Sequence, residues 1–415
     1  MKIYKINDKK FKGIYLSMNF LMQSDKEVLS KNAVMASMLS KESKKFGKEK
    51  DIQMYLASLY GANFSVNLEK LGDVENLEFK IECVNQNCIE NSNEIVLKSV
   101  DFLKEITLNA KINEKEFNDE LFEREKLFIL EKIASRKDEK LKYAVNRTEE
   151  IMNEDSGFGT FLYGNEEIVK KLSKKDIVEA YNSLINDSKV IFIVSGNLEG
   201  IPDIEKYISD TININNHVID GNLIVNVKNE VEYKNEIIEK CDSTQSVITA
   251  ALKLEDITED DEYVLNVYNA ILGGTPSSKL FQIFREKESL AYTARSRYYR
   301  YKDLIIIYAG INRENYEKSK EVIRSIIDSI EKGDISDEEF NAAKTSLISD
   351  IKEWEDSKIM LSKFLLSNLV IYKNKNRTLK LMQEKINNVT KEDVMEISKK
   401  VKFKMWYLLG GEINE

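Results

Sequence analysis

The sequence predicts an α+β protein of two homologous domains, each a mixed, mostly antiparallel sheet with helices packed on one face. Three observations predict it. The chain has 415 residues, too many for one ordinary core and enough for two domains of about 200 residues each. Strand and helix patterns follow the same order in both halves, and two helix-start motifs recur. We expect domains at 1–210 and 232–415, joined by an asparagine-rich linker at 211–231.

Two short motifs indicate an internal repeat. Asn113–Asn118 recurs as Ser336–Asn341, and the helix start at Ser173 recurs at Thr390. Each motif begins with a residue that favours the N-cap of a helix, and each has an acidic residue three positions later. Capping motifs are common enough to match by chance. Because both pairs keep their order at nearly equal offsets, we favour a duplication.

The elements of the first half follow from hydrophobic periodicity and turn residues. They are predicted as a strand at Ile14–Leu21, helices at Ser30–Lys41 and Asp51–Leu59, a hairpin of Asn63–Lys70 and Asn76–Val84, and a closing strand at Val190–Ser195. The second half repeats this layout. Its predicted elements are a strand at Gln245–Leu252, a helix at Asp260–Leu272, a hairpin of Tyr292–Tyr301 and Leu304–Ile311, and a closing strand at Met405–Leu409.

Composition excludes several classes of function. The net charge of -9 argues against nucleic acid and anionic membranes, since both reward clustered positive charge. The N-terminus lacks the apolar stretch of a signal peptide, and no apolar run approaches the length of a membrane span. Cys83, Cys88 and Cys241 form no disulfide framework, so we expect reduced thiols in a cytoplasmic protein.

One long segment resembles a known family. Leu272–Tyr292 is similar to the second-domain signature of the pitrilysin/insulinase metallopeptidases: a Gly-Gly start, then Ser-Ser-Arg-Leu-Phe, Arg-Glu-Lys and Leu-Ala-Tyr. Tyr60–Asn63 resembles the family's start of an edge strand, and Phe192–Asn197 resembles the strand that closes its first domain. The resemblance implies two related halves that fold into a half-clamshell.

The family's zinc motif is absent from the sequence. Active members carry His-x-x-Glu-His on a helix, with two imidazole ligands and a glutamate base. The resemblance places Ala33 and Ser37 at the histidine positions and Ala36 at the base. The third ligand falls near Lys132, although a shift of one residue would give Glu131. His217, in the predicted linker, is the sole histidine, so no such motif can be written.

Other catalytic chemistries have little support in the residues. A zinc site built from His217 and the three cysteines is disfavoured by their spacing, and buried or idle thiols explain the cysteines better. A serine nucleophile lacks a supporting histidine motif. Gly273–Lys279 superficially suggests a phosphate loop, but it lacks the Gly-Lys-Ser/Thr ending and follows a helix. We therefore expect no metal or other cofactor in this chain.

The resemblance assigns roles to two further sites. In active members an arginine and a tyrosine hold the substrate backbone and stabilise the oxyanion, and they match Arg285 and Tyr292. Zinc is then expected in a homologous partner subunit, with which this chain forms a heterodimer that hydrolyses peptides. A peptide-binding strand is predicted at the residues that begin the first hairpin, namely Gly61, Ala62, Asn63, Phe64 and Ser65.

Two rival hypotheses remain at this stage. The chain could be a peptide-binding or scaffold protein in which Arg285 and Tyr292 are relics, or a self-contained hydrolase with an unrecognised site. For Gly61–Val66, a purely structural role as the start of a hairpin is as well supported as peptide binding.

Overall fold

Two five-stranded sheets with the same strand order form the framework of the computed structural model. It describes residues 1–89, 94–154, 156–214, 223–226, 234–242, 245–288, 290–372 and 377–410; the side chains of residues 286 and 292 lie outside this description. His217 and most of the predicted linker fall outside the described residues. Among those described, no helix combines the length and apolar composition needed to cross a bilayer.

The first sheet has the order β1-β5-β2-β4-β3. Its strands are β1 (Lys2–Asn7), β2 (Gly13–Gln23), β3 (Asn63–Leu71), β4 (Val74–Val84) and β5 (Lys189–Gly196). The β1–β5 pairing is parallel and the other three are antiparallel. Gly72, with a φ of +64°, forms the β3–β4 turn, where an added Cβ would lie 2.0 Å from the carbonyl oxygen of Val225. Only glycine therefore fits that turn.

The second sheet has the order β6-β10-β7-β9-β8. Its strands are β6 (Glu236–Lys240), β7 (Ser246–Leu254), β8 (Ala291–Tyr299), β9 (Leu304–Ile311) and β10 (Val401–Gly410). Its outer β6–β10 pairing is again parallel, and the other three are antiparallel. Strand for strand this is the order of the first sheet, as a duplication predicts.

Helices follow the strands in both halves. The α-helices of the first half are α1 (Lys26–Leu39), α2 (Glu49–Ser58), α3 (Ile95–Leu108), α4 (Asp119–Ser135), α5 (Lys140–Met152), α6 (Glu166–Lys171), α7 (Lys174–Asp187) and α8 (Ile204–Thr211). Those of the second half are α9 (Asp261–Asn269), α10 (Lys279–Phe281), α11 (Tyr316–Glu331), α12 (Asp337–Glu355), α13 (Lys358–Ile371), α14 (Leu379–Asn388) and α15 (Lys391–Ser398). Turns of π-helix continue α9 over Ala270–Gly274 and α10 over Gln282–Lys287. The predicted α+β class is confirmed.

The chain folds into two compact units that do not coincide with its two halves. The first unit comprises residues 1–134, 155–227 and 356–373, and the second comprises 135–154, 228–355 and 374–415. Each unit thus contains one helix from the other half of the chain: α13 belongs to the first unit and α5 to the second. The domain boundaries drawn from the sequence did not include this exchange.

Both faces of the first sheet are covered. On one face, alternate residues of β2 such as Leu16, Met18 and Phe20 join the main core with helices α1, α3 and α7. On the other, Leu366 of α13 packs in an apolar cluster with residues including Ile191 of β5. The main core thus has the helical layer that the sequence predicts, and α13 adds a second layer that the local pattern could not reveal.

The helix-start motifs behave unequally. Ser173 and Thr390 both form capping boxes, as predicted. Ser336 also caps its helix, since its Oγ accepts from the Glu339 amide. Asn113, in contrast, begins only a turn, and α4 starts at Asp119, because the side chain of Asn118 accepts a hydrogen bond from the Leu121 amide. The predicted start at Asn113 is therefore wrong by several residues.

Candidate functional site

Helix α1 carries Ala33, Ala36 and Ser37, the residues that the resemblance places at the family's zinc ligands and base. Its N-cap is Asp25, whose carboxylate accepts from the amides of Glu27 and Val28. Ala36 and Ser37 follow Ala33 by three and four positions, so the three residues share one face of the helix. Ala33 and Ala36 are buried, and all three line a cavity of about 640 Å³.

That cavity lies entirely within the first unit. Its lining residues come from α1, α2, β3, β4, α4 and α13 together with Tyr163. Besides the three α1 positions they are Ser40, Lys41, Glu49, Val66, Asn67, Leu68, Glu69, Glu78, Arg124, Glu125, Phe128, Ile129, Tyr163 and Lys363. Charged and apolar groups are mixed, as in a site for a peptide or another polar organic ligand.

Ser37 is hydrogen-bonded to a carboxylate in the wall of the cavity. Its hydroxyl donates to Oε2 of Glu125 over 2.5 Å, and Nε of Arg124 lies 2.9 Å from Oε1 of the same buried carboxylate. Sequence reasoning did not single out Glu125. The available signal was helical periodicity, because Glu125 stands two turns before Lys132, the position that the resemblance had assigned to the third ligand.

Lys132 and Glu131 are both exposed and are not among the cavity's lining residues. The ammonium of Lys132 lies 5.3 Å from the ring centroid of Phe128. A lysine at this position cannot replace a carboxylate ligand, because its ammonium has donors and no acceptor.

A second carboxylate, Glu78 of β4, also lines the cavity. The hydroxyl of Tyr15 donates to its Oε1 over 2.6 Å, and the amide of Asn67 donates to its Oε2 over 2.9 Å. Burial and the adjacent Glu78 charge raise the pKa of Tyr15, so the phenol keeps its proton. Two neutral donors therefore fix this carboxylate at the sheet surface.

Glu75 connects the same strand to α1. Its Oε2 accepts from the amide of Asn32, the residue before Ala33, over 2.6 Å. Complete burial raises the pKa of Glu75 to about 8. The side chain is therefore mostly protonated at neutral pH, and it holds the helix of the altered motif against β4 as an uncharged acid.

Metal ligands are not clustered in the part of the chain that the structure describes. No three histidine, cysteine, aspartate or glutamate side chains come close enough there to hold a metal ion. The cysteines are free thiols: Cys83 is buried, Cys88 is exposed and Cys241 is intermediate. Burial raises the pKa of Cys83 to about 11. The histidine that completed the disfavoured zinc hypothesis, His217, lies outside the described residues.

The predicted peptide-binding segment leads into an edge strand. β3 pairs with β4 on one side and occupies the end of its sheet. Gly61 has a φ of +73°, and a Cβ there would meet nothing within 4 Å, so the turn needs glycine for its backbone conformation. Ala62 is buried and Asn63 is exposed. The ring of Phe64 packs edge-on against Phe102, with centroids 4.9 Å apart.

Ser65 is half-buried on β3, and the next four residues of that strand, Val66–Glu69, line the cavity. The strand edge and the altered motif on α1 therefore border one space. Sequence reasoning proposed the two features separately and did not place them together.

The second unit carries Arg285 and Tyr292. Arg285 is exposed on the π-helical turn that follows α10, with its guanidinium carbon 5.0 Å from the ring centroid of Phe281. Tyr292 lies in β8, and its side chain is outside the described part of the structure. Gly273, in the other π-helical turn, allows a close approach, because a Cβ there would lie 2.5 Å from the Ser296 amide nitrogen. Close packing therefore accounts for the glycine at this position, and no phosphate-binding role is needed to explain it.

Comparisons with known proteins agree with this arrangement. The family described as "Peptidase M16 inactive domain" matches residues 171–347. A probable inactive metalloprotease of Bacillus subtilis, YmfF, is 25% identical over 98% of this chain and 95% of its own length. An uncharacterized zinc protease of the same bacterium, YmxG, is 22% identical over 58% of each chain.

Solved structures show the same fold. A conserved protein from Enterococcus faecalis superimposes with a TM-score of 0.90 at 23% identity, covering 100% of this chain and 97% of the other. The M16 inactive domain from Pseudomonas fluorescens gives a TM-score of 0.78 at 15% identity, over 99% and 96% of the two chains. Residues 171–347 thus match the M16 inactive-domain family, and the whole chain is homologous to a probable inactive metalloprotease.

Proposed function

We propose that this chain is the non-cutting subunit of a two-chain zinc peptidase. Its partner is a homologue that carries the intact zinc motif, and Arg285 and Tyr292 of this chain contact the peptide substrate at the partner's zinc site. The guanidinium and phenol are hydrogen-bond donors, suited to a carbonyl oxygen that gains negative charge during hydrolysis.

The first unit supports the need for a partner. On α1, two alanines and a serine stand where ligands and a base would be needed. Ser37 is engaged with Glu125 in a hydrogen bond, and neither alanine can bind a metal or accept a proton. Hydrolysis by the family's chemistry then requires a zinc ion held by another chain.

The proposal rests on the position and exposure of Arg285. The family match covers it, and its side chain is exposed, whereas the next apolar residue before it, Phe284, is completely buried. Its backbone is a turn of π-helix, a conformation that is rare and frequent at functional sites. An exposed arginine on a turn that Phe284 anchors in the core is suited to contact a second molecule.

The relatives supply a further argument. B. subtilis has both a relative called a probable inactive metalloprotease and another called a zinc protease. Inactive-type and zinc-type homologues therefore exist together in one organism, as a two-subunit enzyme requires.

The test is reconstitution with a zinc-type homologue encoded in the same genome. We expect the pair to co-purify and to hydrolyse peptides faster than the zinc-type chain alone. Arg285→Ala should lower kcat/KM of the pair by about 10²–10³, the usual cost of removing one oxyanion donor. Tyr292→Phe should lower it in the same direction.

Arg295→Ala is the matched control. Arg295 is also exposed and lies on β8, outside the family signature. We expect its replacement to leave kcat/KM unchanged. If Arg285→Ala is as active as the wild-type pair, the shared-site function is wrong.

The terminal position of β3 in its sheet, where it pairs only with β4 among the described strands, favours a second candidate function, in which the chain binds peptides without taking part in their hydrolysis. Its edge can hydrogen-bond an added strand, and the adjacent cavity can accept side chains. Peptide binding by the isolated chain, together with a zinc-type homologue whose activity is the same with and without it, would favour this function.

A further inference from the structure

The charged groups that line the first-unit cavity differ in depth. The side chains of Glu78 and Glu125 are only 6% and 5% exposed. The cations stand further out: the side chains of Lys41, Arg124 and Lys363 are 28%, 62% and 41% exposed. The deepest charges are therefore negative, and the positive charges lie at the rim.

Two of the rim cations have acidic partners of their own. Lys41 lies 2.8 Å from Glu49, and Lys363 lies 3.5 Å from Glu69. Within each pair the positive and negative charges cancel, so these two pairs leave no net charge at the mouth of the cavity. They do not neutralise the buried carboxylates behind them.

The buried carboxylates retain capacity to accept hydrogen bonds. Each carboxylate oxygen can accept two, and the four oxygens of Glu78 and Glu125 receive donors from Tyr15, Asn67, Ser37 and Arg124. Three of these donors are neutral, and the ammonium of Lys80 lies 4.0 Å from Oε2 of Glu78, at the outer limit of an ion pair. The fourth, the guanidinium of Arg124, is mostly in solvent, where an ion pair contributes little.

The remaining lining suits an aliphatic chain. Ala33 and Ala36 leave room along α1, and Val66, Leu68 and Ile129 contribute apolar surface. The volume of about 640 Å³ exceeds the need of any single side chain. A long side chain with an apolar stem and a cationic head would bury its stem here and place its head at the carboxylates.

The edge strand supplies the direction of approach. Val66–Glu69 of β3 line the cavity, so a peptide added to this edge would pass along it. Successive side chains of a strand point to opposite faces, so every second residue of the peptide would be directed to the cavity side.

We propose that this cavity binds a lysine or arginine side chain of a peptide strand added to the edge of β3, with Glu125 and Glu78 receiving the cationic head group. The proposal rests on the peptide-binding function above and adds the substrate class to it.

The experiment measures binding of short, fluorescently labelled, extended peptides to the full-length chain by anisotropy. The peptides are otherwise uncharged and differ only at a central lysine, arginine, glutamine, methionine or glutamate. We expect the lysine and arginine peptides to bind about tenfold or more tightly than the glutamine and methionine peptides, the magnitude typical of a hydrogen-bonded charged group. The glutamate peptide should bind most weakly.

Glu125→Gln is the decisive variant, because it removes the charge and keeps the shape and an acceptor for Ser37. It should abolish most of the preference for lysine and arginine, and a circular-dichroism spectrum equal to that of the wild type shows that the variant is folded. Glu123→Gln, at an exposed position of the same helix that does not line the cavity, is the matched control and should retain the preference.

Two results would overturn the proposal, and they differ. Equal binding of all five peptides would leave peptide binding intact and show that the cavity does not select basic side chains. Failure of every peptide to bind would remove the peptide-binding function itself, and the proposal with it.

Discussion

The two helices that belong to the opposite unit, α5 and α13, pack on their sheets in different ways. α13 contacts the first sheet through an apolar cluster around Leu366, which includes Leu21, Ile191 and Ile193. α5 packs on β7, β9 and β10 of the second sheet, and its buried face combines apolar residues such as Val145 with several hydrogen-bonding side chains. Its Tyr143 donates to Oε1 of Glu239 over 2.6 Å.

The polar contacts of α5 form a network. Glu239 of β6 also accepts from the hydroxyl of Tyr407 over 2.9 Å and lies 3.3 Å from Nε of Arg147. Elsewhere on the helix, the hydroxyls of Thr148 and Thr249 are 2.6 Å apart. Burial of apolar side chains stabilises the packing of a helix without requiring one particular contact geometry. A hydrogen-bond network, in contrast, also fixes the orientation of the helix on its sheet. The same structural exchange is thus maintained by two kinds of interaction, which respond to different perturbations.

The largest effect is expected from Leu366→Ala in α13. Removing a buried leucine side chain leaves a cavity and should lower the free energy of unfolding by about 2–5 kcal/mol. Urea unfolding followed by circular dichroism measures the loss. Leu361→Ala, on the same helix but only partly buried, serves as the control and should cost less.

A smaller effect is expected from Glu239→Gln, about 1–2 kcal/mol, because two tyrosines and Arg147 lose a charged acceptor. Burial alone would raise the pKa of Glu239, but hydrogen bonds from Tyr143 and Tyr407 and the charge of Arg147 lower it overall. Because this pKa is lowered, the Glu239 carboxylate stabilises the folded state at pH values above the ordinary pKa of 4.5. That stabilisation is lost as the pH falls through the folded-state pKa.

Hydrogen exchange distinguishes the two helices under acid. Protection of residues 140–152 should fall in the wild type as the pH is lowered below 4.5, and this fall should be smaller in Glu239→Gln. Protection of residues 358–371 should depend less on pH over the same range, once intrinsic exchange rates are corrected. Equal losses in both helices would contradict the contrast between them.

The smallest effect is expected from Thr148→Val. The substitution keeps the shape and removes the hydroxyl that meets Thr249, so unfolding should become easier by about 1 kcal/mol. The double variant with Thr249→Val should recover part of that loss, because no buried hydroxyl is then left without its partner. An additive double variant would show that the two hydroxyls do not interact.

The sequence predicted local features of the fold well. Strands and capped helices depend on neighbouring residues, so Ser173 and Thr390 were identified as caps and most strands were placed within a few residues. The order of strands repeated, as expected. β1 and β6 were not predicted, since each is short and only partly buried on the edge of its sheet.

Long-range features could not be predicted in the same way. The pattern of α13 shows that it is apolar, but not which sheet it covers, because that choice depends on residues far away in the chain. The cavity is similar: Ala33 and Ser37 were identified by resemblance, but Glu125 and the adjacent strand β3 emerged only when distant elements were brought together. The roles of Arg285 and Tyr292 stay predictions.

The exchange of α13 has a consequence for synthesis of the protein. All five strands of the first sheet are complete once residue 196 has left the ribosome, yet residues 356–373 are translated much later. Until then, the helix that packs against Leu21, Ile191 and Ile193 in the folded protein is missing, so we expect these side chains to stay accessible. The apolar face of the first sheet thus stays uncovered until α13 has been synthesised. We expect chaperones to bind this face during that time, and aggregation to increase when translation slows.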